Sequence, residues 1–164
     1  MLFRSILDDH ELHTVKVIWG AVGENQLLDL YRSADVFVLP TRGEGWGLPL
    51  IEAAAMGLPI ITTQYSGHLE FLRGRESSCV WVEHDMVPVA CAEYQRFYPQ
   101  AGDWGMWAQP RQASLVQALQ RARQDLDQLR AQALINSVSL REQFSWPRSV
   151  DRVLSLLHSQ KKSG

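Results

Sequence analysis

The chain has 164 residues, is 46% hydrophobic and 21% charged, and carries a net charge of −2, which suits one globular domain with its own core. That charge gives no general attraction to nucleic acid or to an anionic membrane, no apolar run is long enough for a span, and no signal-peptide pattern is read. Cys79 and Cys91 are too few for a disulfide framework and no His/Cys cluster has zinc spacing, so a reduced, cytoplasmic setting is the default.

Short apolar runs alternate with helical patterns, which predicts β-α-β-α units and a parallel sheet. Leu2 to Leu7 reads as a helix remnant, and Val15-Lys16-Val17-Ile18-Trp19 as a strand ending at Gly20. Leu27, Leu28, Leu30 and Tyr31 give a helix after Glu24. Strands are expected over 35–39, 59–63 and 78–83, with helices over 49–56 and about 67–72. Gly20, the 43–48 loop and the 64–67 loop then all follow strand ends, the edge at which open α/β sheets bind ligands. Tyr94, Phe97, Tyr98, Trp104 and Trp107 crowd the segment up to Pro110; it reads as a long irregular insert, either functional or a cover for an apolar sheet edge. Beyond Pro110 the pattern is helical only, so 110–164 forms the helical C-terminal part of a single domain over 1–164. Leu115, Leu119, Ala122, Leu126, Leu129 and Ala133 make one stripe of a long amphipathic helix. Its polar face mixes Arg121, Arg123 and Arg130 with Asp125 and Asp127, which favours packing on the sheet over contact with a membrane surface. Asp125-Leu126-Asp127 lies mid-helix with no glycine loop and reads as solvated surface. Ser145 is the expected N-cap of a last helix.

Function concentrates in Gly43-Glu44-Gly45-Trp46-Gly47-Leu48-Pro49 and in Glu52. Three glycines at alternate positions let backbone approach a ligand, and Pro49 suits the first turn of a helix. A strand, a glycine loop and a helix N-terminus in that order offer free N–H groups and a positive dipole end to a phosphate. Glu52 is the lone charge between Gly45 and Thr63. It therefore either pairs with a distant basic residue or faces a ligand, because an unpaired buried carboxylate is costly. Its two oxygens suit a vicinal diol such as a ribose, and Glu44 in the loop could meet further hydroxyls. Phosphate, ribose and polyol together describe a nucleotide-sugar. A dinucleotide-binding oxidoreductase domain is excluded by the spacing, since Leu48 stands where a third glycine belongs.

Glu44 and Glu52, with seven residues between them, resemble the two-glutamate motif of the family 4 (group 1) retaining glycosyltransferases of the GT-B fold. The flanks Leu30-Tyr31-Arg32-Ser33-Ala34-Asp35-Val36-Phe37-Val38-Leu39-Pro40 and Glu52-Ala53-Ala54-Ala55-Met56-Gly57-Leu58-Pro59 are similar too, and the likeness runs from about Val15 to Leu72. The resemblance implies a Rossmann-like parallel sheet flanked by helices, the C-terminal half of a GT-B enzyme. It assigns Glu44 to the donor-sugar hydroxyls as the catalytic-site residue and Glu52 to the ribose. The loop of Gly45, Trp46, Gly47 and Leu48 goes to the donor, with the N–H groups around Gly47 and Leu48 on its distal phosphate. Gly20 and Val22 lie in the segment that edges the base. Trp46 either stacks on a sugar or packs as a core aromatic, and packing is favoured. His68 reads as structural, Glu70 as helix surface, and Arg42 either as a phosphate contact or as a solvated loop arginine. No metal or other cofactor is expected, the donor being a nucleotide-diphosphate sugar.

The glycine-rich first loop and the Arg and Lys that the family sets against the diphosphate find no match. The expectation is thus an N-terminally truncated donor-binding domain, inactive alone, that works with an N-terminal acceptor domain. The alternative is a non-catalytic nucleotide-binding module, or half of an enzyme completed by a separate chain.

Overall fold

The computed structural model describes residues 16–89, 96 and 104–160. Helix α1 (Glu24–Ser33) follows Gly23, whose N–H is taken by the side chain of Gln26 three residues on, with Glu24 at the positive and Arg32 at the negative end of the dipole. The sheet strands are β1 (Phe37–Leu39), β2 (Ile60–Thr63) and β3 (Cys79–Val82), parallel and ordered β1-β2-β3. Phe37 pairs with Ile60 and Ile60 with Cys79. Between them lie α2 (Leu48–Ala55), the short α3 (Leu69–Leu72) and a 3-10 turn at Glu76–Ser78.

All four residues of β2 are buried, as expected of a central parallel strand covered on both faces. Its alternation divides the core. Ile60 joins Tyr31, Leu50, Ala53, Phe71 and Leu140 on one face, and Ile61 joins Val80, Val82, Ala118 and Leu129 on the other. Two buried threonines at its end put their hydroxyls to use: Thr62 donates to Leu39 O at 2.8 Å and Thr63 to Thr41 O at 2.5 Å. These bonds clip the end of β1, and the start of the loop after it, to the central strand.

Strands β4 (His84–Pro88) and β5 (Met106–Pro110) form a separate antiparallel ribbon. It is docked on the loops of the main sheet by Ala108 N–H to Arg42 O (2.9 Å) and Tyr65 OH to Met106 O (3.1 Å). Helices α4 (Gln112–Gln124), α5 (Leu126–Gln143) and α6 (Trp146–Gln160) complete the chain. Arg75 is buried and donates to Phe71 O at 2.9 Å and to Gln143 Oε1 at 2.8 Å, which ties the turn before β3 to α5.

The strands expected over 35–39, 59–63 and 78–83 and the helices expected over 49–56 and about 67–72 are present within two residues of those bounds, the helix after Glu24 is present, and the parallel pairing is as anticipated. Three expectations need correction. Residues 16–19 form no strand and are exposed; an apolar segment makes a strand only beside a partner, and none among the described residues pairs with it. The long helix is two, broken at Asp125 (φ −102°, ψ 18°). The break moves the buried stripe to Ala118, Ala122, Leu129, Ala133, Ser137 and Leu140, leaving Leu119 exposed. The segment up to Pro110 is not irregular throughout, since 106–110 is strand β5. Leu2 to Leu7, Tyr94, Phe97 and Tyr98 lie outside the described residues. Packing of α4 on the sheet follows expectation, with Ala118 and Ala122 against Ile61 and Val80. Ser145 Oγ accepts the N–H of Arg148 at 3.3 Å, the expected cap of α6.

Candidate functional site

The loops after β1 and β2 emerge at the same edge of the parallel sheet and are bonded to each other. Ser66 Oγ lies 2.7 Å from Glu44 N, whose proton it accepts, and 3.0 Å from Glu44 O, to which it donates; Gly67 N–H donates to the same carbonyl at 3.1 Å. Ser66 holds a left-handed φ of 77° to do so. The two loops are so close that a Cβ on Gly67 would stand 2.0 Å from Gly45 O.

Glu44 is half-buried at this junction, and its carboxylate accepts from Thr41 Oγ1 at 3.0 Å. The N–H groups of Gly45, Trp46, Gly47 and Leu48 meet no acceptor among the described residues. Those of Leu50 and Ile51 close on Gly47 O at 2.9 and 3.1 Å, so α2 begins at once and points its positive end out of the loop. Gly47 needs to be glycine: its φ is +82°, and a Cβ would press on His68 Cβ and Leu50 Cδ1 at 3.2 Å. The loop thus presents four free donors and two carboxylates, a surface suited to an anion joined to hydroxyls.

Glu52 is one turn into α2 and exposed rather than buried. Its partner is not basic. Tyr31 OH, from α1, donates to Glu52 Oε2 at 3.0 Å. The Tyr31 phenol is pushed up to about 12, by burial first and then by this carboxylate. Sequence reasoning missed Tyr31 because it stands 21 positions away on the apolar stripe of its helix, where its ring reads as core. A polar tip on an otherwise buried aromatic was the available signal.

Trp46 packs as favoured, its ring 5.6 Å from Phe71 and 5.8 Å from Phe144, yet keeps an exposed edge. Leu48 is exposed at the loop's end. His68 is fully buried beneath the loop; its Nε2 bonds Thr63 O at 2.7 Å while Nδ1 has no partner. That places the ring out of reach of a ligand and fits a structural role. Arg42 lies over the face of Trp107 on β5 at 4.7 Å, a placement with no sequence signal. Asp125 and Asp127 are exposed, Asp125 facing Arg121 at 3.6 Å.

Gly20 (φ +91°) and Val22 are exposed. Val22 lines a hollow of about 700 Å³ with Val17, Ile18, Trp19 and Leu30. None of residues 44–52 lines that hollow; the structure brings Glu44 and the glycine loop together with Ser66 and Gly67. Among the described residues no three His, Cys, Asp or Glu side chains are grouped so that they could hold a metal ion, and no helix is long and apolar enough to cross a membrane.

Residues 4–94 match the family of glycosyl transferases group 1. The chain is 28% identical over 139 residues to D-inositol 3-phosphate glycosyltransferase 1 of Catenulispora acidiphila, covering 85% of this chain and 27% of that protein. It is 36% identical over 79 residues to sucrose synthase of Nitrosomonas europaea, covering 45% and 10% respectively. The structure of sucrose-phosphate synthase from Thermosynechococcus elongatus superposes with a TM-score of 0.68 at 21% identity, over 99% of this chain and 34% of that one. At that identity the likeness is one of fold. The chain spans about a quarter or less of the curated relatives it matches here.

Proposed function

This chain belongs to the group 1 glycosyl transferases, and we propose that it is the donor-binding part of a retaining glycosyltransferase that takes a sugar from a nucleotide-diphosphate sugar. The observation that carries the reading is the loop between β1 and α2: four N–H groups without a protein acceptor, flanked by Glu44 and Glu52. In the proposed complex the N–H groups around Gly47 and Leu48 hold the distal phosphate, Glu52 accepts from the ribose hydroxyls, and Glu44 from those of the transferred sugar. Charge grows on the diphosphate as the glycosidic bond breaks. Preset donors and the α2 dipole stabilise that charge without reorganising, which lowers the barrier. The chain's own part is therefore to bind, orient and stabilise the leaving group.

The acceptor, taken to be a glycan, a lipid or another hydroxyl compound, would be met by a further domain, and the chain alone is expected to show no turnover. A hexose as the transferred sugar and a cytoplasmic setting belong to the same proposal, as does a site that works without a metal. Saturation-transfer NMR with UDP, GDP, ADP and their sugars, beside Glu52→Ala, tests the reading. Selective binding of one nucleotide, lost in the variant, supports it. A folded chain that binds none of them refutes it.

A further inference from the structure

We propose that Tyr31 is a positioning residue for Glu52, holding one carboxylate oxygen so that the other meets the vicinal diol of a ribose, and that this contact makes the chain select ribonucleotides over 2′-deoxyribonucleotides. The inference rests on the reading of Glu52 given above.

Glu52 lies on the exposed side of α2, and no Lys or Arg among the described residues pairs with it. Neither burial nor an ion pair therefore sets its direction. The phenol of Tyr31 does: its hydroxyl is 3.0 Å from Glu52 Oε2 and 3.5 Å from Pro49 O. It has one proton to give, and the shorter, charge-assisted contact takes it. The ring itself is fixed. It is buried in the core cluster with Leu50 and Ala53 and tilts against Phe37 at 5.9 Å.

A phenol differs from a basic partner in one useful way. It directs the carboxylate without neutralising it, so Oε1 and the second lone pair of Oε2 keep the acceptor strength of an anion. A ribose offers two adjacent O–H donors, which a carboxylate already held in one rotamer meets without first losing side-chain freedom. A 2′-deoxyribose offers one donor fewer at that position and gains little from the arrangement. A simple staple between α1 and α2 would stabilise the fold but would not alter the ratio of the two affinities.

That ratio is the measurement. The 164-residue chain, Tyr31→Phe and Glu52→Gln are titrated by NMR with UDP, GDP and ADP and with their 2′-deoxy counterparts. Loss of one hydrogen bond to a charged group predicts that Tyr31→Phe binds the ribonucleotide about 3- to 10-fold more weakly, with the deoxynucleotide changed less than about twofold. Glu52→Gln is expected to abolish the preference. If Glu52→Gln loses the preference and Tyr31→Phe keeps it, the inference is overturned while the reading of Glu52 stands. If the parent shows no preference, the reading of Glu52 fails and takes the inference with it. A second measurement needs no Tyr31 variant: the phenol, at about 12 in the parent, is expected to titrate lower in Glu52→Ala. An unchanged titration means that the contact is absent in solution and overturns the inference.

Discussion

Replacing Gly67 by alanine tests how the two loops of the site are fitted together. A methyl carbon at that position would stand 2.0 Å from Gly45 O, 2.7 Å from Gly45 C and 2.8 Å from Glu44 O, all backbone atoms that cannot rotate aside. Carbon–oxygen contacts settle near about 3.3–3.6 Å, so the loops must separate by roughly 1.3 Å or more. Such a shift takes the 3.1 Å bond from Gly67 N–H to Glu44 O, and the Ser66 bonds of 2.7 and 3.0 Å, out of hydrogen-bonding range. Overpacking costs about 1–3 kcal/mol and each lost bond about 0.5–1.5 kcal/mol. The total, about 2.5–7.5 kcal/mol, lowers Tm by roughly 5–30 °C for a chain of this size. Calorimetry reads the stability, and nucleotide titration reads the site, which should weaken together. The control is Gly45→Ala, where a Cβ meets nothing within 4 Å; that variant should keep its Tm and weaken binding only if a ligand approaches the loop there. A Gly67→Ala chain that melts within about 2 °C of the parent and binds nucleotide equally would refute the reasoning.

Arg75 is buried with no carboxylate partner among the described residues, held by Phe71 O and Gln143 Oε1. Arg75→Met should lose about 2–4 kcal/mol, read by denaturant titration, because it deletes two charge-assisted bonds and leaves a buried carbonyl without its donor. Arg111 holds the exposed Asp85 carboxyl below the ordinary carboxylate range. A folded-state value lowered in this way contributes stability that is present above the unfolded value of about 4 and is lost as pH falls through the folded value. The Tm gap between the parent and Arg111→Gln should therefore narrow below about pH 4; a gap constant down to pH 2 contradicts this. Ser145→Ala removes the side-chain acceptor of the Arg148 N–H and should cost α6 about 0.5–2 kcal/mol of helix stability, visible as reduced ellipticity with the core melt unchanged.

What the sequence disclosed and what it hid divide along a physical line. Periodicity and breaker residues are local, and they sufficed for α1, the three parallel strands and the glycine loop. The Asp125 break carries no such mark: Arg121-Ala122-Arg123-Gln124-Asp125-Leu126-Asp127 contains neither glycine nor proline. Residues 16–19 show the reverse case, strand composition without a neighbouring strand. In the candidate site, Glu44, Glu52 and the glycines were legible because they are contiguous and chemically unlike their surroundings. Tyr31 and the ribbon carrying Trp107 were not, since each acts through a contact formed only when distant segments meet. Glu52 has apolar neighbours in sequence, yet it is exposed and has no basic partner among the described residues. On a helix the neighbours in sequence point in different directions, and this residue falls on the solvent side.

Helix α6 has one further consequence. Every described side chain along it is exposed, including Val150, Val153, Leu154 and Leu157 on one stripe. A helix of 15 residues whose described side chains are all exposed is marginal in water on its own. Its amide protons should exchange with solvent by local fraying, far faster than those of β2, which open only with the whole sheet. Far-UV ellipticity will then begin to fall on heating before the interior has loosened at all, and a midpoint taken from that signal will understate the temperature at which the glycine loop loses its shape.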